Sequence, residues 1–473
     1  MATDQAVNRT ASRDEIAEEM MRLLPFEPHR LQYHLIQALA TFVTERPYHG
    51  VFLLNGYAGS GKTSIVGALI KALNARKMPT VVLAPTGRAA KVAAGMAMGQ
   101  ASTIHKRIYR PDSQTPDAKY FLAPNPNKDT LFVCDEASLV TDGHPSTSLL
   151  FQMLRHIFSN EGNLLLLVGD TAQLPPVGMA TSPAMDAERL RSLSLDPIVF
   201  NLDITMRQEG GSGILHNATL LRRAMTDPIP GKIPQLELHD FPDIEAISSA
   251  ELADKLSDSW NEVGVDNTII ITRSNSRANR YNMAIRNMVM YAEEPLQQGD
   301  RLVIAKNDYY WSKINKMKTF IANGDMAEVK WVGRTEKMYG RFFVETELYF
   351  PSTDVQIGAK LMLRSLNAEG PAIPKVEMDR FYNIVLHEQA GSLTEQIRDA
   401  LDDPYYNAIQ AKYGYCVTCH KAQGGQWDHV YVDMAGIDPE GLDENFYRWA
   451  YTAFTRATRK LFLINPTLPV KGE

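Results

Sequence analysis

Short apolar runs recur along the first half of the chain, and each of them gives way to a polar turn. The first set comprises Val51–Leu54, Thr80–Ala84, Leu131–Cys134 and Leu164–Val168. Helix-compatible segments such as Ser64–Leu73 separate these runs. Because buried strands that alternate with helices form a parallel sheet covered by helices, the pattern predicts an α/β fold.

A second set of apolar runs follows later in the chain. It begins at Asn267–Thr272 and resumes with Tyr415–Thr418, His429–Asp433 and Leu461–Ile464. The pattern therefore predicts a second α/β lobe that a long insertion interrupts.

The long insertion, about 296–392, alternates apolar and polar residues or is β-branched, with Gly and Asn turns between its apolar segments. Its candidate strands are Arg301–Ile304, Met326–Trp331, Arg341–Glu345 and Phe381–Val385. These features predict a small antiparallel, barrel-like module. A smaller insertion at 107–130 is rich in Pro and Asn but carries Tyr109, Tyr120 and Phe121. By composition alone, a disordered surface loop is an equally good interpretation of it.

The segment Gly56–Thr63 fits the phosphate-binding pattern G-x-x-x-x-G-K-[ST] at every fixed position. It lies between a predicted strand and a predicted helix, which is the structural context that this pattern requires. Glycines let the backbone wrap a triphosphate, and the helix N-terminus supplies oriented N–H donors. Lys62 is expected to reach the β- and γ-phosphates and the Thr63 hydroxyl to bind Mg²⁺. The chain is therefore predicted to bind a nucleoside triphosphate.

Hydrolysis requires further groups, and the ends of two predicted strands supply candidates. Asp135 is placed to hold Mg²⁺, and Glu136 beside it to polarise the attacking water. Gln173 follows the strand predicted at Leu164–Val168 and is a candidate sensor of the γ-phosphate. Charge on that phosphate in the transition state calls for arginines, for which Arg207 and Arg456 are the candidates.

Composition indicates an ordinary globular protein of about three domains, with 473 residues, 44% apolar and 22% charged. The apolar runs are too short to span a bilayer, and the N-terminal segment shows no secretion signal. These features predict a cytoplasmic protein without a membrane partner. The net charge of −6 does not exclude a local basic groove for nucleic acid.

The three cysteines do not form a disulfide framework. Cys416–His420 spells C-x-x-C-H, the pattern of covalent haem attachment, but such proteins are exported and no export signal is present. Zinc is also not expected, because no second Cys/His pair lies at ligand spacing.

Eight segments, in this order, resemble the motifs of a superfamily-one helicase, and more narrowly those of the RecD/Dda branch, the latter a phage helicase. They are Gly56–Thr63, Ala84–Ala90, Ser102–His105, Cys134–Ser138, Gly169–Val177, Thr205–Arg207, Thr418–Gly424 and Tyr451–Arg456. The resemblance covers nearly the whole chain except the first residues. In one departure, Gly424–Gln426 stands where relatives often carry Gly-Ser-Glu.

The resemblance implies two RecA-like P-loop lobes, with ATP in the cleft between them and single-stranded DNA across their top. The N-terminal lobe would be 1–205, with a β-hairpin pin insertion at about 107–130. The second lobe would be 206–295 and 393–473, and an SH3-like β-barrel would occupy 296–392.

The resemblance also implies roles for particular residues. The ATPase set would be Lys62, Asp135, Glu136, Gln173, Arg207 and Arg456. ATP would contact Gln32, Gly56, Ala58, Gly59, Ser60, Gly61, Lys62, Thr63 and Ser64, and Mg²⁺ would contact Thr63 and Asp135. The DNA strand would contact Pro85, Thr86, His105, Thr418 and His420. For each of these last residues, a loop residue that satisfies local backbone groups is the alternative interpretation.

In this branch the pin splits the duplex, and Tyr120 or Phe121 is expected to lie at its tip or to brace it. Deletion of 112–126 is expected to preserve DNA-stimulated ATP hydrolysis and to abolish unwinding.

The implied function is that of an ATP-dependent DNA helicase that moves 5′→3′ on single-stranded DNA, in phage DNA replication or recombination and thus in the host cytoplasm. The implied partners are single-stranded DNA and its junctions with duplex, with a single-strand-binding protein or other replication proteins as candidates. Two candidate arginines in one chain favour a working monomer over a ring ATPase. An RNA helicase or RNA-remodelling ATPase of the same superfamily and a translocase that does not unwind remain alternatives. Intact Lys62, Asp135, Glu136 and Arg456 argue against a binding module without catalysis.

Overall fold

The computed structural model describes residues 12–96, 101–111, 120–144, 147–203, 211–227, 233–317, 320–436 and 442–471. The chain divides into two compact units. The first comprises Met1–Pro85, Ala89–Arg110 and Leu122–Gly210, and the second comprises Thr86–Arg88, Pro111–Phe121 and Gly211–Glu473.

The part of the chain up to residue 203 alternates strands and helices as predicted. Its strands are β1 Val51–Gly56, β2 Thr80–Ala84, β3 Ala101–Thr103, β4 Tyr109–Pro111, β5 Tyr120–Leu122, β6 Leu131–Cys134, β7 Leu164–Gly169 and β8 Pro197–Leu202. Its helices are α1 Arg13–Leu23, α2 Arg30–Glu45, α3 Lys62–Ala75, α4 Gly87–Met96, α5 Ile104–Ile108, α6 Leu149–Ile157 and α7 Ala187–Ser192.

Six of these strands form one sheet in the order β3-β2-β6-β7-β1-β8. Every neighbouring pair in this sheet is parallel. Successive side chains of β7 point to opposite faces, so Leu164 and Leu166 pack against one core cluster and Leu165 and Leu167 against the other. A strand that is buried on both faces reads as a continuous apolar run, which explains why the sequence identified β7.

The four strands predicted in this half are confirmed, whereas β3 and β8 were not predicted. β8 lies at an edge of the sheet, and its residues Ile198 and Val199 are 45% and 42% exposed. Because an edge strand carries no continuous buried run, its sequence gives a weaker signal than that of a central strand.

The second half of the chain contains the remaining elements. Its strands are β9 Ile244–Ile247, β10 Thr268–Thr272, β11 Arg301–Ile304, β12 Met326–Met338, β13 Arg341–Phe350, β14 Val355–Met362, β15 Ala411–Tyr413, β16 Cys416–Thr418, β17 Trp427–Asp433 and β18 Ala457–Ile464. Its helices are α8 Gly213–Thr226, α9 Leu252–Val263, α10 Asn275–Met288, α11 Tyr310–Ile314, α12 Leu363–Leu366, α13 Lys375–Glu388, α14 Leu393–Leu401, α15 Cys419–Ala422 and α16 Glu444–Phe454. Within the described ranges, no helix combines the length and apolar character needed to cross a membrane.

Five of these strands form a second parallel sheet in the order β16-β10-β17-β18-β9. The predicted second set of strands is therefore confirmed. The sheet is built from two separate parts of the chain, because β10 pairs in parallel with β16, which follows the insertion.

The insertion forms an antiparallel sheet in the order β14-β13-β12-β11-β15. A parallel bridge between Leu361 and Ile409 joins its two edge strands, since Leu361 lies in β14 and Ile409 just precedes β15. The predicted antiparallel pairing is therefore confirmed, and β15 joins this sheet from outside the predicted limits 296–392.

The strand predicted at Phe381–Val385 is wrong, because these residues lie in helix α13. Phe381 and Val385 are both fully buried, while Asn383 and Ile384 between them are exposed. Burial at positions i and i+4 is the periodicity of a helix. A strand was predicted because a short apolar run fits both periodicities.

Candidate functional site

The loop between β1 and α3 adopts a backbone that only glycine accommodates easily. Gly59 and Gly61 have φ values of 75° and 84°, in the left-handed region. A Cβ atom on Gly61 would lie 2.7 Å from Nε2 of Gln32. The loop is therefore fixed both by its dihedral angles and by the side chain that packs against it.

The first turn of α3 is suited to bind an anion. It contains no acidic residue, and it begins with Lys62 and Thr63. The Lys62 Nζ atom donates to the Tyr57 carbonyl oxygen at 3.2 Å, so the ammonium lies over the loop. Exposed N–H groups at a helix N-terminus, together with an ammonium, stabilise phosphate oxygens. The other predicted loop contacts lie in or beside this turn: Gly56, Ala58, Ser60 and Ser64.

Gln32 braces the loop from helix α2. Its Nε2 donates to the Ser60 carbonyl oxygen at 2.8 Å, and its Oε1 accepts from the His29 N–H at 3.0 Å. The side chain is fully buried. The bond to the phosphate loop was not predicted from the sequence, which suggested only a contact to ATP.

Asp135 and Glu136 follow directly after β6, on the sheet that also carries the phosphate loop. Burial is the main cause that raises the pKa of Asp135, neighbouring Glu136 raises it further, and the Lys62 ammonium lowers it. Asp135 and Lys62 therefore interact electrostatically. Glu136 has a φ of 51°, a conformation that costs of order 1–3 kcal/mol for a residue other than glycine and that is often found at active sites.

Gln173 lies after β7 and is buried. Its Nε2 is 3.5 Å from Oδ2 of Asp170, the residue that follows the strand. The same turn is tied to β1, because Asn55 Oδ1 accepts from the Thr171 N–H at 3.1 Å. The ends of β1, β6 and β7 thus bring Lys62, Asp135 and Gln173 to one edge of one parallel sheet.

The donor set at this edge fits a hard divalent cation. The Thr63 hydroxyl is exposed at the start of α3, and Asp135 supplies carboxylate oxygens, which are the ligand types that Mg²⁺ prefers. A cation there would also stabilise the charged form of Asp135, which burial and Glu136 disfavour.

Arg456 belongs to the second unit and is 4% exposed. Its guanidinium donates to the carbonyl oxygens of Thr452 at 3.0 Å and Gly425 at 3.3 Å, and to the Thr455 hydroxyl at 3.2 Å. These bonds fix it between α16 and the segment before β17. The other candidate arginine, Arg207, lies outside the described residues.

The predicted nucleic-acid contacts lie at strand ends and helix starts. In the first unit, Pro85 follows β2 and His105 is exposed on α5, with its ring 5.9 Å from that of Tyr109. Thr86 is assigned to the second unit, where Thr418 is the N-cap of α15 and His420 is exposed on that helix.

Lys421, which was not among the predicted DNA contacts, follows His420 on α15. Burial lowers its pKa to about 8, and its Nζ has no hydrogen-bond partner among the described residues. Burial also lowers the pKa of nearby Lys412 to about 8, and the charge of Lys421 lowers it further. Both lysines line a small cavity together with Asn275, Asn279, Asn282 and Thr418. Because a buried ammonium without an acceptor is costly, Lys421 is suited to pair with a negatively charged ligand.

The segment proposed to form a pin includes a short two-stranded sheet, β4 with β5. Tyr120 and Phe121 both lie in β5, and Phe121 is 48% exposed. The connection 112–119, where a tip would be, lies outside the described residues. The structure therefore places both aromatic residues on a strand of the hairpin.

The C-x-x-C-H segment is part of the second unit's core. Cys416 lies in β16 and Cys419 in α15, and both are buried. Burial raises the pKa of both thiols well above the usual range, which keeps them protonated and chemically inert.

Comparison with known families supports the pattern of these sites. A profile described as an AAA domain matches residues 32–222, and a profile described as a UvrD-like helicase C-terminal domain matches residues 413–464. The first match contains the phosphate loop, and the second contains the segment from Thr418 to Arg456.

Individual relatives are distant. The chain is 22% identical over 494 residues to an uncharacterized protein of Acanthamoeba polyphaga mimivirus, covering 87% of this chain and 95% of that one. It is 22% identical over 423 residues to the ATP-dependent DNA helicase Pif1 of a Psychrobacter species, covering 81% of this chain and 61% of the relative. It is 29% identical over 151 residues to the ATP-dependent RecD2 DNA helicase of Deinococcus radiodurans, covering 32% of this chain and 19% of the relative.

Solved structures with similarity include a Pif1 helicase from Bacteroides in complex with ADP-AlF3 and ssDNA. It has a TM-score of 0.47 and 15% identity, and the match covers 90% of this chain and 91% of that one. A structure of two coordinating Pif1 helicases at forked dsDNA has a TM-score of 0.48 and 16% identity, over 93% and 92% of the two chains. At these TM-scores the superpositions carry no argument about this chain.

Proposed function

We propose that this chain is an ATP-dependent DNA helicase. The observation that carries the proposal is the phosphate loop, with Lys62, on the same parallel sheet edge as Asp135 and Glu136. A second parallel sheet carries the segment from Thr418 to Arg456, which matches a helicase C-terminal profile. Two of the relatives are DNA helicases by name.

ATP with Mg²⁺ is the proposed cofactor pair. Lys62 and the N–H groups of α3 would hold the phosphates, and Thr63 and Asp135 would hold the metal ion. Glu136 would accept the proton of the attacking water, and Gln173 would contact the γ-phosphate. Arg456 and Arg207 are proposed to stabilise the charge that develops on that phosphate.

We propose that the DNA single strand contacts five residues. Pro85, Thr86 and His105 belong to motifs in the first half of the chain, and Thr418 and His420 belong to a motif in the second half. Lys421 strengthens the proposal, since its buried Nζ lies in the cavity beside Thr418 without an acceptor among the described residues, and a backbone phosphate oxygen would accept from it. Phosphate contacts of this kind carry affinity without reading sequence.

The finer features are also proposals. They are the domain limits 1–205, 206–295 with 393–473, and 296–392, the RecA-like and SH3-like character of these parts, 5′→3′ movement, a functional monomer, a phage Dda-like role and a cytoplasmic location. Partners beyond DNA, such as a single-strand-binding protein, belong to the same group. An RNA substrate remains the second candidate, because contacts to the backbone serve both nucleic acids.

The test is unwinding of matched duplexes that carry either a 5′ or a 3′ single-stranded tail, with Lys62→Ala as the control. Unwinding from the 5′ tail alone, lost in the control, is the expected result. Unwinding from the 3′ tail alone would support helicase activity but contradict the proposed 5′→3′ direction of movement. Absence of unwinding from both tails, with ATP hydrolysis still stimulated by single strands, would indicate an RNA substrate, a missing partner or a translocase.

The pin proposal has its own test. Phe121→Ala removes an exposed ring from β5, so duplex unwinding is expected to slow while ATP hydrolysis stimulated by single-stranded DNA stays unchanged. The matched control is Tyr48→Ala, which removes an aromatic residue that is 83% exposed and lies outside the hairpin. Equal unwinding rates in all three proteins would remove Phe121 from the strand-separation step.

A further inference from the structure

We infer that Tyr309 is a base-stacking platform for single-stranded nucleic acid, and that Lys306, Lys313 and Lys316 contact the phosphates on either side of the stacked base. This site lies on the antiparallel module, in the segment between β11 and β12. The inference rests on the proposed function, because it names a further contact for the same strand.

The Tyr309 ring is held in place from two directions. Its hydroxyl accepts from Asn307 Nδ2 at 3.2 Å, and its ring centroid lies 4.9 Å from that of Phe320. Asn307 is fixed in turn, because its Oδ1 accepts from the Asn323 N–H at 2.7 Å. The ring is therefore ordered before any ligand arrives.

Part of this ordered ring still faces solvent. Tyr309 is 37% exposed, although the neighbouring Trp311 is largely covered and donates through Nε1 to the Asn407 carbonyl oxygen at 2.9 Å. An aromatic ring that is rigid and yet exposed is what base stacking requires, because little entropy remains to be lost on binding.

The charge around the ring is positive. Lys306, Lys313 and Lys316 are all exposed and lie within the same short segment. The segment has two acids, and both are engaged by backbone N–H groups. Asp308 Oδ1 accepts from the Trp311 N–H at 2.9 Å, and Asp325 Oδ2 accepts from the Ala322 N–H at 2.8 Å. Burial raises the pKa of Asp308 to about 6, and its backbone hydrogen bonds hold the carboxylate away from the surface.

Burial raises the pKa of both Tyr309 and Tyr310, and Asp308 raises both further. Asp402 and Asp403 also raise the pKa of Tyr310. Lysines beside an exposed ring, in a chain with a net charge of −6, form a local site for a ligand that has both aromatic faces and negative charges. Single-stranded nucleic acid has both, whereas an acidic peptide has only the charges.

The experiment measures the affinity of the full chain for a fluorescent oligothymidine, with Tyr309→Ala, Tyr309→Phe and Tyr291→Ala compared with the unmodified protein. Tyr309→Ala is expected to weaken binding about tenfold, the effect of one lost stack. Tyr309→Phe keeps the ring and is expected to bind within about twofold of the unmodified protein. Tyr291, at 81% exposed, is the matched aromatic control and is expected to have no effect.

A second measurement tests the lysines through salt. Replacing Lys306 and Lys316 by Gln is expected to reduce the slope of log affinity against log salt by about 0.7 per lysine. Unchanged affinity in Tyr309→Ala, or an unchanged slope in the lysine variant, would overturn the platform. If Tyr309→Ala binds normally and the unmodified protein unwinds tailed duplexes, the platform is rejected but the proposed helicase function stands. Failure of the unmodified protein to bind single-stranded DNA would instead remove the proposed function.

Discussion

The ammonium of Lys421 lies in surroundings that disfavour its charge. Burial lowers its pKa to about 8, and no described residue accepts a hydrogen bond from it. Such a group is costly in the free protein and gains its partner only from a ligand. Lys421 is therefore stronger evidence for an anion-binding site than the predicted contacts His105 and His420, because those two side chains are exposed to solvent.

That linkage predicts a pH dependence. The charged form of Lys421 binds phosphate, and with a pKa near 8 in the free protein it is lost as pH rises through 8. Affinity for single-stranded DNA is therefore expected to fall by about tenfold between pH 7 and 9 on account of this lysine. Lys421→Gln should bind more weakly at pH 7 and show a flatter profile. A variant profile as steep as the original would mean that Lys421 does not touch the strand.

Gly61 provides a second prediction at the scale of a residue. Gly61→Ala places a Cβ atom 2.7 Å from Gln32 Nε2 and puts alanine at a φ of 84°. A positive φ alone costs about 1–2 kcal/mol, and the loop must also shift away from Gln32. Nucleotide affinity, measured by titration calorimetry, is expected to fall at least about tenfold. Gly95→Ala, where nothing lies within 4 Å of the added atom, is the control and should bind nucleotide normally.

At the scale of elements, the helix α10 is joined to the start of β11 by a buried ion pair. Arg286 Nε donates to Asp300 Oδ1 at 2.9 Å, and the two side chains are 2% and 0% exposed. Asp300 also accepts from the Tyr415 hydroxyl at 3.0 Å and the Gln297 N–H at 2.8 Å. The pair thus connects a helix packed on the second parallel sheet with the antiparallel module.

Removing one partner of this pair should be severe. Asp300→Ala leaves the Arg286 guanidinium buried without a counter-charge, so the free energy of unfolding is expected to fall by about 3–5 kcal/mol in urea denaturation. The control is Asp266→Ala, which removes an acid that is 57% exposed and pairs with Arg301. That change should cost no more than about 1 kcal/mol. Similar losses in the two variants would show that burial does not determine the effect.

The elements also show where sequence patterns suffice. The buried strands β1, β2, β6 and β7 are apolar on both faces, so their runs identify them without knowledge of their neighbours. Helix α13 was taken for a strand because Phe381–Val385 is short, and its periodicity is clear only with the burial of its neighbours. Short segments carry too few residues for either period to be decisive.

At the scale of the whole molecule, hydrolysis is proposed to need residues from both units. Arg456→Lys should reduce DNA-stimulated ATP turnover by about 10³, since an arginine that stabilises the transferring phosphate is worth at least that much. Nucleotide affinity is expected to change only a few-fold, and the melting temperature measures any loss of the bonds to Thr452 and Gly425.

The matched control for that variant is Arg459→Lys. Arg459 lies on β18, which begins directly after Arg456, but is 54% exposed and pairs with Glu262. Its turnover should equal that of the unmodified protein. An Arg456→Lys variant with normal turnover and normal stability would leave the chain without its proposed transition-state arginine.

The sequence by itself determined the phosphate loop, the central strands of both parallel sheets and the resemblance to the motifs of superfamily-one helicases. It could do so because glycine dihedrals, strand burial and the positions of Lys62 and Asp135 are local properties that neighbouring residues already encode. Only the tertiary structure placed Gln32 on the phosphate loop, and only it brought Lys412 beside Lys421. These depend on distances between residues far apart in the chain and on desolvation, and neither quantity is written in the order of the residues.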